Sequence, residues 1–250
     1  MKYKALFLDL DGTAIPNKFD GMPSARVREA IHKAKGHVFV CIATSRPLRY
    51  AKPVLDHLDI RGLCVVNDAT QIYDPVKKKI VETIYLDPAD AMKLRKYFKR
   101  YAIPLITNTS DGDQKKGVSI ADDHICALCV SDVSLEVADR IIADVTKYSG
   151  VAAHKIYSWI RKDLYWVSLT HVRATKLHSV VRIAELLGVK TEEMIGVGDG
   201  YNDYPLLSAC GLKIAMGNAA PELKAIADFI APSVDEDGVA LVIEKFILSS

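Results

Sequence analysis

Two aspartates stand one residue apart in Asp9-Leu10-Asp11-Gly12-Thr13, at the end of the apolar run Ala5-Leu6-Phe7-Leu8. Carboxylates seldom finish a buried strand unless a cation meets them, so the ending reads as a site. On an extended segment Asp9 and Asp11 share one face, and Gly12 permits a sharp turn that would lift both above the sheet edge. A plain strand end with an Asp-Gly turn is the alternative.

Three other segments carry groups suited to an anion. Thr44-Ser45-Arg46-Pro47 follows the apolar strand Val38 to Ala43, and Pro47 pre-sets a helical turn whose N-terminal N–H groups favour negative charge. Read alone, Thr-Ser is an ordinary helix cap. Lys176 opens an amphipathic helix, where the dipole disfavours a cation; a lone lysine there is usually solvated. Gly198-Asp199-Gly200-Tyr201-Asn202-Asp203 ends another apolar strand, Met194 to Val197, with two more acids.

The elements that position these groups alternate. Strand Lys4 to Leu8 precedes a helix N-capped by Ser24, then strand His37 to Ala43, a helix from Pro47 and strand Leu63 to Val66. After Lys176 the pattern returns: a helix to Leu187 closed by Gly188, strand Met194 to Val197, helix Tyr204 to Ala209, strand Leu212 to Ala215, helix Pro221 to Ala227 and a last helix from Val239. Such alternation builds a parallel sheet, and ligands bind beyond the carboxyl ends of its strands. Between the halves, hairpin-like pairs appear (Gln71 to Tyr73 with Lys79 to Ile84, Ser158 to Ile160 with Tyr165 to Leu169) beside two amphipathic helices, Pro88 to Tyr101 and Ser134 to Tyr148. The predicted organisation is an α/β, Rossmann-like core, residues 1–83 and 171–250, with an inserted α+β domain, residues 84–170.

Composition narrows the function. Thirty-three basic against thirty-one acidic residues leave a net charge of +2 with no basic arm, so nucleic acid is not an expected partner. No apolar run reaches the roughly 18 residues of a membrane span. Five scattered cysteines point to reduced thiols and a cytoplasmic location. Nothing in the sequence speaks to oligomeric state.

Taken jointly, Asp9-Leu10-Asp11-Gly12-Thr13, Thr44, Lys176 and Gly198-Asp199-Gly200-Tyr201-Asn202-Asp203 resemble the four motifs of the haloacid dehalogenase superfamily of phosphohydrolases, over essentially the whole chain. The insert between the second and third motifs is similar to the cap of the Cof-like type, subfamily IIB, as are Ala215-Met216-Gly217-Asn218-Ala219 and Asp237-Gly238-Val239-Ala240. The resemblance implies Asp9 as nucleophile, Asp11 as general acid and base, and Lys176 as a fixed charge beside them. It implies Mg²⁺ on Asp9, Asp199 and the Asp11 carbonyl, with Asp203 orienting Asp199 or a metal water. Thr44, Asn202 and the N–H groups of Leu10 and Ser45 would bind phosphoryl oxygens, with Arg46 and Asn67 in the same substrate-binding set. A small phosphorylated metabolite, a sugar phosphate above all, would be the substrate. The chain departs from the family at Ser45 and Asp68, where Gly is usual.

The remaining candidates are weaker. Cys126 and Cys129 lie three apart in an apolar run, facing opposite sides of a strand, which favours neither chelation nor redox pairing. The seven histidines show no metal-ligand spacing. Tyr157, Trp159, Tyr165 and Trp166 read as hairpin packing, or as a lining of the cap with Arg161 or Lys155. Two rival functions share the motifs: a sugar-phosphate mutase, and a non-catalytic phospho-acceptor module, which has no use for a hundred-residue insert.

Overall fold

The computed structural model describes residues 2–18, 20–110, 114–116, 124–158, 161 and 163–249. The first part of the chain forms β1 (Ala5–Leu8), α1 (Ala25–Ala34), β2 (Phe39–Ile42), α2 (Leu48–His57), β3 (Cys64–Val66), β4 (Gln71–Asp74) and β5 (Lys79–Thr83). There follow α3 (Pro88–Arg100), β6 (Ile106–Thr109), β7 (Gln114–Lys116), β8 (Ile125–Val133), α4 (Leu135–Val145), β9 (Val151–Tyr157) and β10 (Tyr165–His171). The last part contains α5 (Lys176–Leu187), β11 (Met194–Gly198), α6 (Tyr204–Ser208), β12 (Leu212–Ala215), α7 (Pro221–Ala225), β13 (Phe229–Ile230) and α8 (Gly238–Ile243). Two units emerge: Met1–Val81 with Lys176–Ser250, and Glu82–Thr175.

The first unit is built on a parallel sheet of order β13-β12-β11-β1-β2. β1 is buried along its whole length, which is why it reads as a continuous apolar run rather than an alternating one. The chain leaves β1 toward β2 on one side and returns at β11 on the other. That reversal beside β1 is the switch point at which open α/β sheets bind ligands. Local signals place the flanking helices. Ser24 Oγ accepts a hydrogen bond from Val27 N at 3.1 Å to cap α1, and Pro47 precedes α2 as its spacing predicts.

β3 meets the β2 edge in the expected parallel sense, through the bridge Ala43 to Val65 with Thr44 N donating to Val65 O at 3.0 Å, and it also pairs antiparallel with β4, in a three-stranded sheet of order β3-β4-β5. The cause lies in the next three residues. Asn67, Asp68 and Ala69 all adopt left-handed backbone, with φ of 55°, 53° and 61°, and turn the chain straight back on itself. Asn67 N and Asp68 N donate to the carbonyls of Arg46 and Ser45, so this reversal is docked onto the loop that follows β2. A side chain with φ above zero is strained, least for Asn, Asp and Gly. Asp68→Val is therefore expected to lower stability by about 1–2 kcal/mol relative to Asp68→Gly. Thermal unfolding of the two variants, side by side, checks this ranking.

The second unit is an antiparallel sheet of order β7-β6-β8-β10-β9. Leu94 and Phe98 of α3 and Ile141 and Val145 of α4 bury one face of it against Leu128, Val130, Val167 and Leu169. On one side β10 pairs with β8, and on the other its hairpin partner is β9, in register from Tyr165–Tyr157 to His171–Val151, earlier than the expected strand at Ser158; Trp159 and Ile160 lie outside the described residues. Cys126 and Cys129 are packed inside β8. Lys155 pairs with Asp139 of α4, and the exposed Arg161 with Asp163 at 3.1 Å. Among the described residues, no helix is long and apolar enough to cross a membrane.

Candidate active site

Asp9 is the first residue past β1, and its N–H donates to Val197 O of β11 at 3.0 Å. The chain turns at once: Leu10 O accepts from both Thr13 N and Ile15 N, and Gly12 takes φ +81°. The two carboxylates take different cations. Asp9 Oδ1 accepts from Lys176 Nζ at 2.6 Å, whereas Asp11 meets Arg46, which donates Nε to Oδ2 at 2.8 Å and Nη2 to Oδ1 at 2.5 Å.

Lys176 opens α5 with its side chain buried, and it donates also to Asp203 Oδ1 at 2.5 Å. Two carboxylates thus offset the unfavourable end of the helix dipole. Burial pulls the ammonium's pKa down, but the charges of Asp203 and Asp9 outweigh it and leave the pKa above the ordinary lysine value. The second oxygen of Asp203 accepts from the N–H groups of Asp199 and Gly200, both at 3.0 Å, so the loop after β11 is folded around this carboxylate. Gly198 makes room for it: a Cβ there would lie 2.5 Å from that of Asp203.

Asp199 is held from two sides. Thr13 Oγ1 donates to Oδ1 and Asn218 Nδ2 to Oδ2, each at 3.2 Å. Asn218 also donates to Gly12 O at 2.8 Å and accepts from Val234 N at 2.9 Å, stitching three loops together. Sequence reasoning gave Asn218 no role of its own. Its signal was a Gly-Asn-Ala immediately past an apolar strand.

Asp9, Asp199 and Asp203 each offer an oxygen within 4.8 Å of the others. Burial, reinforced by the charge of Asp203 and opposed by Lys176, pushes the Asp9 carboxyl well above the usual range. Burial and the charge of Asp203 likewise raise Asp199 to about 7. Three crowded carboxylates with one ammonium leave a deficit of positive charge, and all-oxygen donors suit a hard divalent cation. The residues therefore fit Mg²⁺. Asp203 accepts three hydrogen bonds, one from the Lys176 ammonium and two from main-chain N–H groups, against one for Asp9 and two for Asp199, so Asp9 and Asp199 have more capacity left to face a cation and Asp203 holds the loop in place. The Asp11 carboxylate, engaged by Arg46, is not one of the three.

The remaining candidates of the first unit lie on the loops that follow β1, β2, β3 and β11. Asn202 Nδ2 donates to Ser45 Oγ at 3.4 Å, linking the loops after β11 and β2, while buried Thr44 Oγ1 accepts from Arg46 N at 3.1 Å. Among the described residues, the N–H groups of Leu10 and Ser45 have no main-chain acceptor. Asn67 is fully buried and donates Nδ2 to Gln71, yet its Oδ1 has no partner among the described residues. Arg161 belongs to the other unit.

A parallel α/β core with an insert between its two halves, and a lysine-bridged acidic centre past its central strand, defines the haloacid dehalogenase class of fold. The chain belongs to the haloacid dehalogenase-like hydrolases: the model of that family matches residues 6–115 and 114–243. Among curated proteins it is 25% identical to the 5-amino-6-(5-phospho-D-ribitylamino)uracil phosphatase YwtE of Bacillus subtilis, over 98% of each chain. Among solved structures it resembles the subclass IIB sugar phosphatase BT4131, at a TM-score of 0.79 and 18% identity over 97% of this chain and 98% of that one. It also resembles the phosphatase BT1666 from Bacteroides thetaiotaomicron, at a TM-score of 0.82 and 20% identity over 98% and 95%.

Proposed function

We propose that the chain is a Mg²⁺-dependent phosphatase that hydrolyses a small phosphorylated metabolite, a sugar phosphate first among the classes, through an aspartyl-phosphate. The observation that carries this reading is Lys176, buried and bonded to both Asp9 and Asp203 at the switch point of the sheet. Hydrolysis of a phosphate monoester requires more than ~20 kcal/mol of barrier lowering, most of it from positioning and charge neutralisation. Asp9 is the nucleophile, and Lys176 opposes the burial and the charge of Asp203 that raise its pKa. Mg²⁺, held by Asp9 and Asp199, supplies the second positive charge for the transferred group. Thr44, Asn202 and the N–H groups of Leu10 and Ser45 bind the phosphoryl oxygens, Arg46 and Asn67 stand beside them, and Asp11 moves the proton. The insert selects the leaving group. The family match, and the names of the phosphatases above, support this reading; the five buried thiols support a reducing compartment such as the cytoplasm.

The test is a turnover screen over a broad phosphometabolite panel, with and without Mg²⁺, scored for inorganic phosphate and for positional isomers of hexose phosphates. Phosphate release dependent on Mg²⁺ is expected; isomer formation alone would make the enzyme a mutase, and no turnover of any member overturns the reading. Mg²⁺ dependence should also vary with pH. Below about 7 a proton competes for metal-free Asp199. The apparent Mg²⁺ affinity, from activity titrations, is therefore expected to fall by about tenfold or more from pH 8 to pH 6.

A further inference from the structure

Arg46 is held at every point. Its side chain is 4% exposed, its N–H donates to Thr44 Oγ1, its carbonyl accepts from Asn67 N at the left-handed reversal, and Nη2 also donates to Lys18 O at 3.1 Å. The guanidinium fork faces both oxygens of Asp11, a geometry that fixes the plane of a carboxylate as well as its position. Asp11 follows a turn at Leu10 and precedes a left-handed glycine; its backbone is bridged to Ile15, and the contacts on its carboxylate come from Arg46.

We propose that Arg46 is the positioning residue for the proton transfers of Asp11, rather than a ligand of the substrate phosphate. The inference rests on the phosphatase reading above. In the first half-reaction an Asp9 oxygen bonds to phosphorus, the bond from phosphorus to the leaving oxygen breaks, and that oxygen takes the proton of Asp11. In the second, water bonds to phosphorus and gives its proton to Asp11, and the bond to Asp9 breaks, releasing inorganic phosphate with both aspartates restored. Asp11 must thus point first at the leaving oxygen and then at the water. A carboxylate held at two points by a buried, anchored fork is aimed; one left on a turn is not.

The experiment measures kcat, KM and the inhibition constant of inorganic phosphate for Arg46→Ala, Arg46→Lys, Asp11→Asn and the two double variants. Substrates are the panel member turned over fastest and 4-nitrophenyl phosphate, whose leaving oxygen needs no proton. Arg46→Ala is expected to lower kcat on the metabolite by about a hundredfold, in the range that general acid–base catalysis supplies. KM and the phosphate inhibition constant should stay within about twofold, and Lys, which keeps one contact, should recover part of kcat. With 4-nitrophenyl phosphate, rapid quench should show phosphoenzyme formed at close to the parent rate and hydrolysed slowly. In the Asp11→Asn background either Arg46 substitution should change kcat less than about twofold, because the group it serves is gone.

A tenfold rise in KM and in the phosphate inhibition constant with kcat kept, or losses that multiply in the double variants, overturns the proposal. Should Arg46→Ala fail to fold, the Arg46→Lys cycle decides by the same criteria. Turnover surviving in Asp9→Asn would remove the phosphatase reading itself, whereas an inactive Asp9→Asn with multiplying losses removes the role of Arg46 alone.

Discussion

Asp9→Asn is expected to abolish turnover, to well below a few per cent of the parent, while the protein stays folded. An amide keeps the shape of the side chain and can still accept from Lys176, but it is neither a nucleophile nor an anionic metal ligand. The fold should not suffer. Burial opposes the charged form of Asp9, so replacing it by a neutral group removes a strain that the parent carries at neutral pH, and the melting temperature should hold or rise. Circular dichroism with thermal unfolding measures the second effect and steady-state kinetics the first. Beryllium or aluminium fluoride with Mg²⁺ should form an adduct at Asp9 in the parent and none in the variant. A variant that keeps more than a few per cent of kcat, or that still takes up the fluoride, would sink the assignment.

Much of this centre can be read along the chain, because each part closes an apolar strand or opens a helix, and these are local signals. Asp9 follows β1, Asp199 follows β11, Thr44 lies just past β2, and Lys176 is an uneasy first residue of α5. What resists reading is what depends on a turn or on a distant partner. The spacing Asp9-Leu10-Asp11 announces a pair of carboxylates but not their cations: the chain turns at Leu10, and Asp9 meets Lys176 while Asp11 meets Arg46. The partnership of Asp11 with Arg46 spans 35 positions, and nothing local announces it. Asn218 reaches Asp199 and Gly12 from a loop that only the parallel sheet brings near.

The same distinction explains the strands. β1 and β11 sit inside a sheet and are apolar throughout, so they stand out. β9 is an edge strand, mostly half-buried and mixed in composition, with Ala, His and Lys among its residues; such a segment carries a weak strand signature. Leu63 to Val66 is apolar and meets the parallel sheet through a parallel bridge to Ala43, and three consecutive left-handed residues after it bring in an antiparallel partner as well. Asp68 and Ala69 give little warning of this, since neither is the glycine that such backbone favours.

Lys176→Ala is expected to cost at least about a hundredfold in kcat and also to destabilise the protein, a combination that a solvated lysine would not produce. Preorganised charge at the reacting centre is commonly worth ~3 kcal/mol or more, which sets the kinetic loss. The structural loss follows from the bonds: without the ammonium, Asp9 and Asp203 are buried carboxylates facing one another with no cation between them. Breaking a buried pair from one side costs about 3–5 kcal/mol, less whatever the acids regain by taking up a proton. That last clause fixes the pH dependence. In the parent, the raised pKa of Lys176 means that its contribution is complete below the ordinary lysine value of 10.5 and is lost only above it, so it is whole at pH 8. In the variant, Asp9 binds its proton more tightly folded than unfolded, so stability falls as pH rises past the unfolded carboxylate value of 3.8. The gap in melting temperature between parent and variant, in EDTA, should therefore be wide at pH 8 and narrow at pH 5. A variant as active as the parent, or one whose melting temperature matches it at pH 8, would mean that Lys176 is not the charge on which this centre depends.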